Sequence, residues 1–230
     1  SGIMTFNIPK YVEKIIDILE MQDYEAYIVG GSIRDMFLGK EPNDYDIATD
    51  ASPDKIKSVF SEFKTIDIGE KFGTILISQE EGDIEVTTFR KEGRYIDGRR
   101  PEMVNFSSNI EDDLSRRDFT INAIAYNKSR GILDPYNGIR DLKRRVIRTV
   151  GEPEERFNED YLRILRAIRF GTQLKFTIDE STFLAGKKHS TKIKNISMER
   201  VSSEFFKILL SHTPSYGIKL LEKMEVLKII

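Results

Sequence analysis

The sequence predicts an α+β chain, with a small mixed sheet and covering helices over residues 4–150 and an all-helical region after it. Three observations carry this. Short apolar runs with strand alternation recur at 26–29, 44–47, 64–68, 74–78 and 83–89, with turn residues between them. Beyond Gly151 the apolar spacing becomes helical, and no strand-like run follows. Hydrophobic residues make up 39% of the 230, enough to bury a core in one large domain or two small ones.

Taken in order, Ser1-Gly2-Ile3 ahead of Met4 reads as a cloning scar and is left out of the fold. Pro9 to Met21 places Tyr11, Val12, Ile15, Ile16, Ile18 and Leu19 on a helical period that would cover the sheet. Ala26 to Val29 leads into Gly30 and Gly31, where the chain can turn sharply and offer backbone N–H groups and a helix start to an anion such as a triphosphate. The short helix that follows must end at Gly39 and Pro42. In Asp44-Tyr45-Asp46-Ile47, strand alternation sends both carboxylates from one face. Two like charges so close call for a cation, and all-oxygen ligands suit a hard divalent ion such as Mg²⁺.

Ser52 and Pro53 form an N-cap and first turn for a helix to about Phe60. The strands 64–68, 74–78 and 83–89 bring the expected sheet to about five strands. Residues 90–101, with five basic and two acidic side chains and no period, read as a loop. Arg99 and Arg100 there are either RNA-backbone contacts or part of a solvated hairpin tip. Ser115 to Tyr126 mixes packing residues with Arg116, Arg117, Asp118 and Asn122, more polar groups than packing needs. Leu133 to Gly138 makes a strand end and turn. From Phe157 to Phe170 one helix is expected, with Tyr161, Ile164, Leu165 and Ile168 on its buried face and Glu159, Asp160, Arg163 and Arg166 around the other. Lys187, Lys188, Lys192 and Lys194 follow an RNA backbone or form a solvated loop. Ser197 caps a further helix, and Gly217 to Ile230 reads as an amphipathic helix without a stop signal, as if a longer helical body began at 212.

Composition excludes several chemistries. There is no cysteine and there are only two histidines, so disulfides, thiolate sites and a zinc centre are out, and carboxylates must hold any metal. No apolar run approaches the ~20 residues that span a bilayer, so no membrane partner is expected and a soluble, cytoplasmic protein is. The net charge of −2 gives no global sign of nucleic-acid binding. Oligomeric state is not legible.

The segment G-G-S-I-R-D at 30–35, D-Y-D at 44–46, E-V-T-T-F-R at 85–90, R-R-D-F-T-I-N-A at 116–123 and E-D-Y-L-R at 159–163 closely resemble the motifs of class II tRNA nucleotidyltransferases (CCA-adding enzymes) and bacterial poly(A) polymerases. The resemblance covers the head and neck regions of that family. It implies a polymerase β-like head over 4–150, a base-recognising helical neck over 151–211 and the start of a further helical body at 212–230. It implies two-metal phosphoryl transfer, with Asp44 and Asp46 as metal ligands and Glu85 as the third catalytic acid. Gly31, Arg34, Arg117, Asp118, Arg166 and Arg169 are then nucleotide-binding, although Arg117–Asp118 could equally form a structural ion pair and Arg169 could snorkel from the core edge. Asp160 and Arg163 would read the base: cytosine and adenine each pair an amino donor with a ring acceptor, which suits a carboxylate beside a guanidinium, whereas uracil and guanine set a carbonyl against the carboxylate. The implied partners are the tRNA 3′ end, ATP and CTP, and the implied reaction is CCA addition. A CC-adding enzyme, an A-adding enzyme, a poly(A) polymerase and a nucleotide-binding module without turnover are the alternatives.

Overall fold

The computed structural model describes residues 6–68, 73–92 and 105–230. Arg99 and Arg100 lie outside the described residues, as does most of the 90–101 loop. The chain folds as two compact units, the first drawn from residues up to 93, 102–117 and 122–139, the second from 118–121 and 140–230.

In the first unit, α1 (Lys10–Met21) precedes β1 (Ala26–Val29), α2 (Gly31–Phe37), β2 (Tyr45–Thr49), α3 (Pro53–Val59), β3 (Lys64–Ile68), β4 (Thr74–Ser78) and β5 (Ile84–Thr88). A two-residue ladder, β6 (Arg90–Lys91) with β7 (Asn105–Phe106), leads to α4 (Ile110–Ser115), β8 (Ala125–Asn127) and β9 (Gly131–Leu133). The sheet has seven strands rather than five, in the order β3-β4-β5-β2-β1-β8-β9. The two extra strands form a tight hairpin whose turn is closed by a side chain: Asn127 Oδ1 accepts from the N–H of Ser129 (2.9 Å) and of Arg130 (3.2 Å). Three-residue strands carry too little alternation to stand out in the sequence.

The sheet is two-faced, and this positions the site. Ile28, Ile47, Val86 and Ile75 are fully buried on one face, each contributing about 1.5–3 kcal/mol of burial. On the other face Tyr27, Val29, Ala48 and Ala125 pack with Phe89 and with Ile110 and Leu114 of α4. That cover stops at β2. Ser52 accepts from the Lys55 N–H, as its N-cap position predicts.

In the second unit, α5 (Gly138–Arg144) leads to β10 (Val146–Ile147), α6 (Pro153–Glu159), α7 (Leu162–Leu174), β11 (Thr177–Ile178), α8 (Glu180–Lys188), a 3₁₀ helix at Ser190–Asn195, α9 (Met198–Leu209) and α10 (Pro214–Lys223). The helices bury Phe157, Ile164, Leu165, Ile168, Ile208, Leu221 and Met224 together. Residues 140–150 and 118–121 join this unit, where a boundary near Gly151 was expected, because β10 pairs in parallel with β11, Phe119 bridges Thr149, and Thr120 Oγ1 donates to buried Asp141 at 2.7 Å. The helical region is thus not strand-free. Two further expectations are corrected. The helix read as running from Phe157 to Phe170 is two helices, since Asp160 is extended (φ −156°, ψ 104°) and its side chain accepts from the Leu162 N–H at 3.2 Å, as an aspartate competing with the helix backbone does. The last helix stops at Lys223, closed by Glu225 in the left-handed region (φ 60°) and a Val226 N–H to Leu221 carbonyl bond of 2.8 Å, a C-terminal closure without the usual glycine. Lys187 and Lys188 end α8 rather than sitting in a loop.

Candidate active site

The first unit gathers its polar groups where the α4 cover ends. Asp46 on β2 pairs in parallel register with Glu85 on β5, so both side chains leave the same face from adjacent strands. They are within hydrogen-bond reach of each other. Burial first, then the charge of Glu85, push the Asp46 carboxyl up to about 6, with Arg117 opposing and Asp44 adding a smaller repulsion. Asp44 lies just before β2 and is exposed, so strand alternation does not carry it as expected. Among the described residues no three His, Cys, Asp or Glu side chains form a ready metal cage.

Beside the acids, two arginines lie against the paired glycines. Gly30 has φ +68°, a conformation open to glycine, and a Cβ there would come 3.1 Å from Arg117 Nη1. A Cβ on Gly31 would come 3.2 Å from Arg34 Nη2. Both guanidinium groups are held from behind. Arg34 Nη1 donates to Asn122 Oδ1 (2.9 Å) and its Nε to Asp35 Oδ1 (3.2 Å). Arg117 Nη2 donates to Asp113 Oδ1 (2.8 Å), and Arg116 and the Arg90 N–H also reach Asp113. Asp113 is fully buried, yet Arg116 and Arg117 overcome that burial and hold its carboxyl below the usual range. Its local cues are the i, i+3 and i, i+4 spacings to Arg116 and Arg117.

The second unit carries the remaining candidates. Asp118 accepts from Arg166, with 2.6 Å between its carboxylate and Arg166 Nη2. Burial alone would lower Arg166; Asp118 and Glu204 reverse this and hold its charge above the ordinary value. Arg169 is buried, bonded to Glu204, and its guanidinium lies 4.1 Å from the centre of the Phe170 ring, so it does not snorkel. Asp160 accepts from Arg200 Nη2 at 2.7 Å, and Arg163 Nη1 donates to Glu159 (2.6 Å) and to the Arg156 carbonyl (2.9 Å). Asp160 and Arg163 are both buried rather than on a surface helix face. Lys187 and Lys188 are exposed, and Lys188 pairs with Glu154 at 2.8 Å. Arg200 and Glu204, one turn apart on α9, went unnoticed as site residues because their partners lie 40 and 35–38 positions away in sequence.

Compared with known proteins, the chain matches a family model described as the poly A polymerase head domain over residues 26–148. The chain belongs to the poly(A) polymerase head-domain family. A second model, described as a probable RNA and SrmB-binding site of polymerase A, matches residues 175–230 of this family member. The CCA-adding enzyme of Ligilactobacillus salivarius is 46% identical over 216 residues, covering 93% of this chain and 53% of that protein. The crystal structure of the Bacillus stearothermophilus CCA-adding enzyme in complex with CTP superposes with a TM-score of 0.86 at 39% identity, covering 96% of this chain and 53% of that one. A tRNA nucleotidyltransferase complexed with a primer tRNA and an incoming ATP analog gives a TM-score of 0.80 at 30% identity, covering 94% and 62%. The chain spans about half the length of the curated relatives it matches. The α+β class with a polymerase β-like head and helical neck is that of these structures. Nucleotidyltransferases of this kind generally use divalent metals.

Proposed function

We propose that this chain is the head and neck portion of a template-independent RNA nucleotidyltransferase that adds C and A residues from CTP and ATP to the 3′ end of tRNA. The observation that carries the reading is the Asp46–Glu85 pair, in register on adjacent strands and next to two arginines packed against Gly30 and Gly31. The relatives at 46% identity, all named CCA-adding enzyme, favour CCA addition over the poly(A) alternative. A tRNA substrate implies a cytoplasmic place of work.

The acids fit a hard divalent cation. They offer only oxygen, and burial with the charge of Glu85 raises the Asp46 carboxyl to about 6, so a cation beside the pair would be favoured. Asp46 with Glu85 and Asp44 would hold it, and Mg²⁺ is the ion we assign. When bound it supplies the charge that offsets the triphosphate and acidifies the attacking hydroxyl. In the reaction the 3′ oxygen of the RNA bonds to the α-phosphorus, the bond to the bridging oxygen breaks, and pyrophosphate leaves with its electron pair. Arg34 and Arg117 bind phosphate oxygens, each kept in place by a neighbour, Asn122 and Asp113. Asp118 faces the ribose, exchanging its Arg166 contact for a sugar hydroxyl, which turns Arg166 to the nucleotide while Arg169 holds Glu204 beneath it. Asp160, paired with Arg200, accepts from the amino group of C or A, and Arg163 donates to the neighbouring ring acceptor.

Equilibrium binding of the four ribonucleoside triphosphates in Mg²⁺ tests this reading. CTP and ATP should bind about tenfold or more tightly than UTP and GTP, and Asp160→Ala should erase the difference. Equal binding of all four would reject the base-reading assignment.

A further inference from the structure

The face of the sheet turned away from Asp46 and Glu85 carries a second concavity. Ile28 is in register with Ile47 on β2 and with Tyr126 on β8, one residue out of step with Asp46, so Ile28 and Tyr126 leave the opposite face from the paired acids. There α1 and the β8–β9 turn enclose a cleft of about 190 Å³, with Ile16, Ile28 and Tyr126 among its walls. That is far more space than one water needs.

The helix wall of the cleft is acidic. Glu13, Asp17 and Glu20 stand at i, i+4 and i+7 on α1, and all three line it. Little cancels their charge. Asp17 has no hydrogen-bond or ion-pair partner among the described residues, Glu20 accepts from the neutral Asn127 Nδ2 (2.6 Å), and Glu13 has Lys128 Nζ at 3.9 Å on a side chain that is 84% exposed. Lys14 of the same helix turns to the Phe63 ring instead, 5.1 Å from its centre. The other wall supplies a separate observation. Tyr126 is only 3% exposed, its ring is held edge-on by Phe6 at 5.1 Å, and its hydroxyl has no hydrogen-bond partner among the described residues. A buried tyrosine hydroxyl usually has one, so this one is left for a group entering the cleft.

We propose that the cleft binds a small aliphatic diammonium or polyammonium ion. Positions four and seven residues apart on a helix are about 6 and 10 Å apart along its axis. That spread suits separate ammonium groups better than one metal ion, whose oxygen ligands all lie within about 2.6 Å of it, and among the described residues no metal cage forms. One ammonium donates to the Tyr126 hydroxyl oxygen, the next to Asp17 and Glu13 at the mouth, and the methylenes between them lie against Ile16 and Ile28. The inference does not depend on the nucleotidyltransferase reading, because the cleft and the paired acids are on opposite faces of the sheet.

Calorimetric titration of the whole chain with 1,4-diaminobutane in about 0.1 M salt tests it, with n-butylamine and Mg²⁺ as comparators. The expected result is one diamine per chain, bound about tenfold more tightly than the monoamine, since its second ammonium adds a charge-assisted hydrogen bond. Asp17→Asn combined with Glu13→Gln should weaken diamine binding about tenfold or more, and Tyr126→Phe, which keeps the ring against Phe6, should weaken it severalfold. Neither acid is buried, so the charge variant should fold as the parent does, checked with Tyr126→Phe by circular dichroism. No saturable binding, equal affinity for diamine and monoamine, or binding unchanged in both variants would overturn the proposal. Displacement of the diamine by Mg²⁺ at equal concentration would overturn it in favour of a metal site.

Discussion

Glu204 is the buried acid on which two arginines of the second unit depend, so its removal should be felt first as lost stability. Glu204 and Arg169 retain 5% and 10% side-chain exposure, while Arg166 retains 32% and keeps Asp118 at 2.6 Å when Glu204 is gone. Glu204→Ala therefore strands one buried cation rather than two. Arg169 would be left with Gln173 at 3.2 Å and the Phe170 ring, and uncompensated buried charges of this kind cost about 3–5 kcal/mol. The Phe170 contact and Gln173 place the expected loss near the low end, about 3 kcal/mol. Chemical denaturation followed by far-UV circular dichroism measures it. Glu204→Leu combined with Arg169→Met should recover most of the loss, because an apolar pair replaces a charged one at similar volume. A loss below about 1 kcal/mol, or a double variant no better than the single one, would refute the reasoning.

Two further predictions concern the first unit. Asp113 has a folded-state pKa below its ordinary value, so its stabilising effect is complete above the unfolded value of about 4 and lost as pH falls through the folded one; the stability gap between parent and Asp113→Asn should be constant from neutral pH down to about 5 and close only in strong acid. A gap that widened on acidification would contradict the pairing with Arg116 and Arg117. Gly31→Ala places a methyl 3.2 Å from Arg34 Nη2, which should raise the nucleotide KM severalfold with little loss of stability, whereas Gly30→Ala, at φ +68° and ψ −137°, should also destabilise by about 1–3 kcal/mol; melting curves and KM values for the pair separate the two effects.

What could be read in advance was whatever the chain states locally. The glycine pair, the Asp46 strand, the Ser52 and Ser197 caps and the apolar stripe of α7 each declare themselves within a few residues, and the structure contains all of them. The motif residues of 116–122 were visible, but their distant partners were not: Asp118 turns to Arg166 and Asn122 to Arg34. Asp160 shows the limit from the other side. Its spacing to Arg163 suits a helix, but its side chain ends one helix and starts the next, and only the fold brings Arg200 to it. The Glu225 closure escaped because it does not use the glycine that usually marks such a turn, and the Asn127 hairpin, although Gly131 at φ +76° closes its turn, escaped because its strands are three residues long.

The most direct measurement is incorporation of each labelled nucleotide, supplied singly and in pairs with Mg²⁺, into tRNA lacking its 3′ end, for the parent chain and for Asp46→Asn. The account predicts CMP from CTP, AMP once cytidine has been added, nothing from UTP or GTP, and a loss of about a thousandfold or more in the variant. Incorporation of UMP or GMP at comparable rates, or a variant as active as the parent, would contradict it.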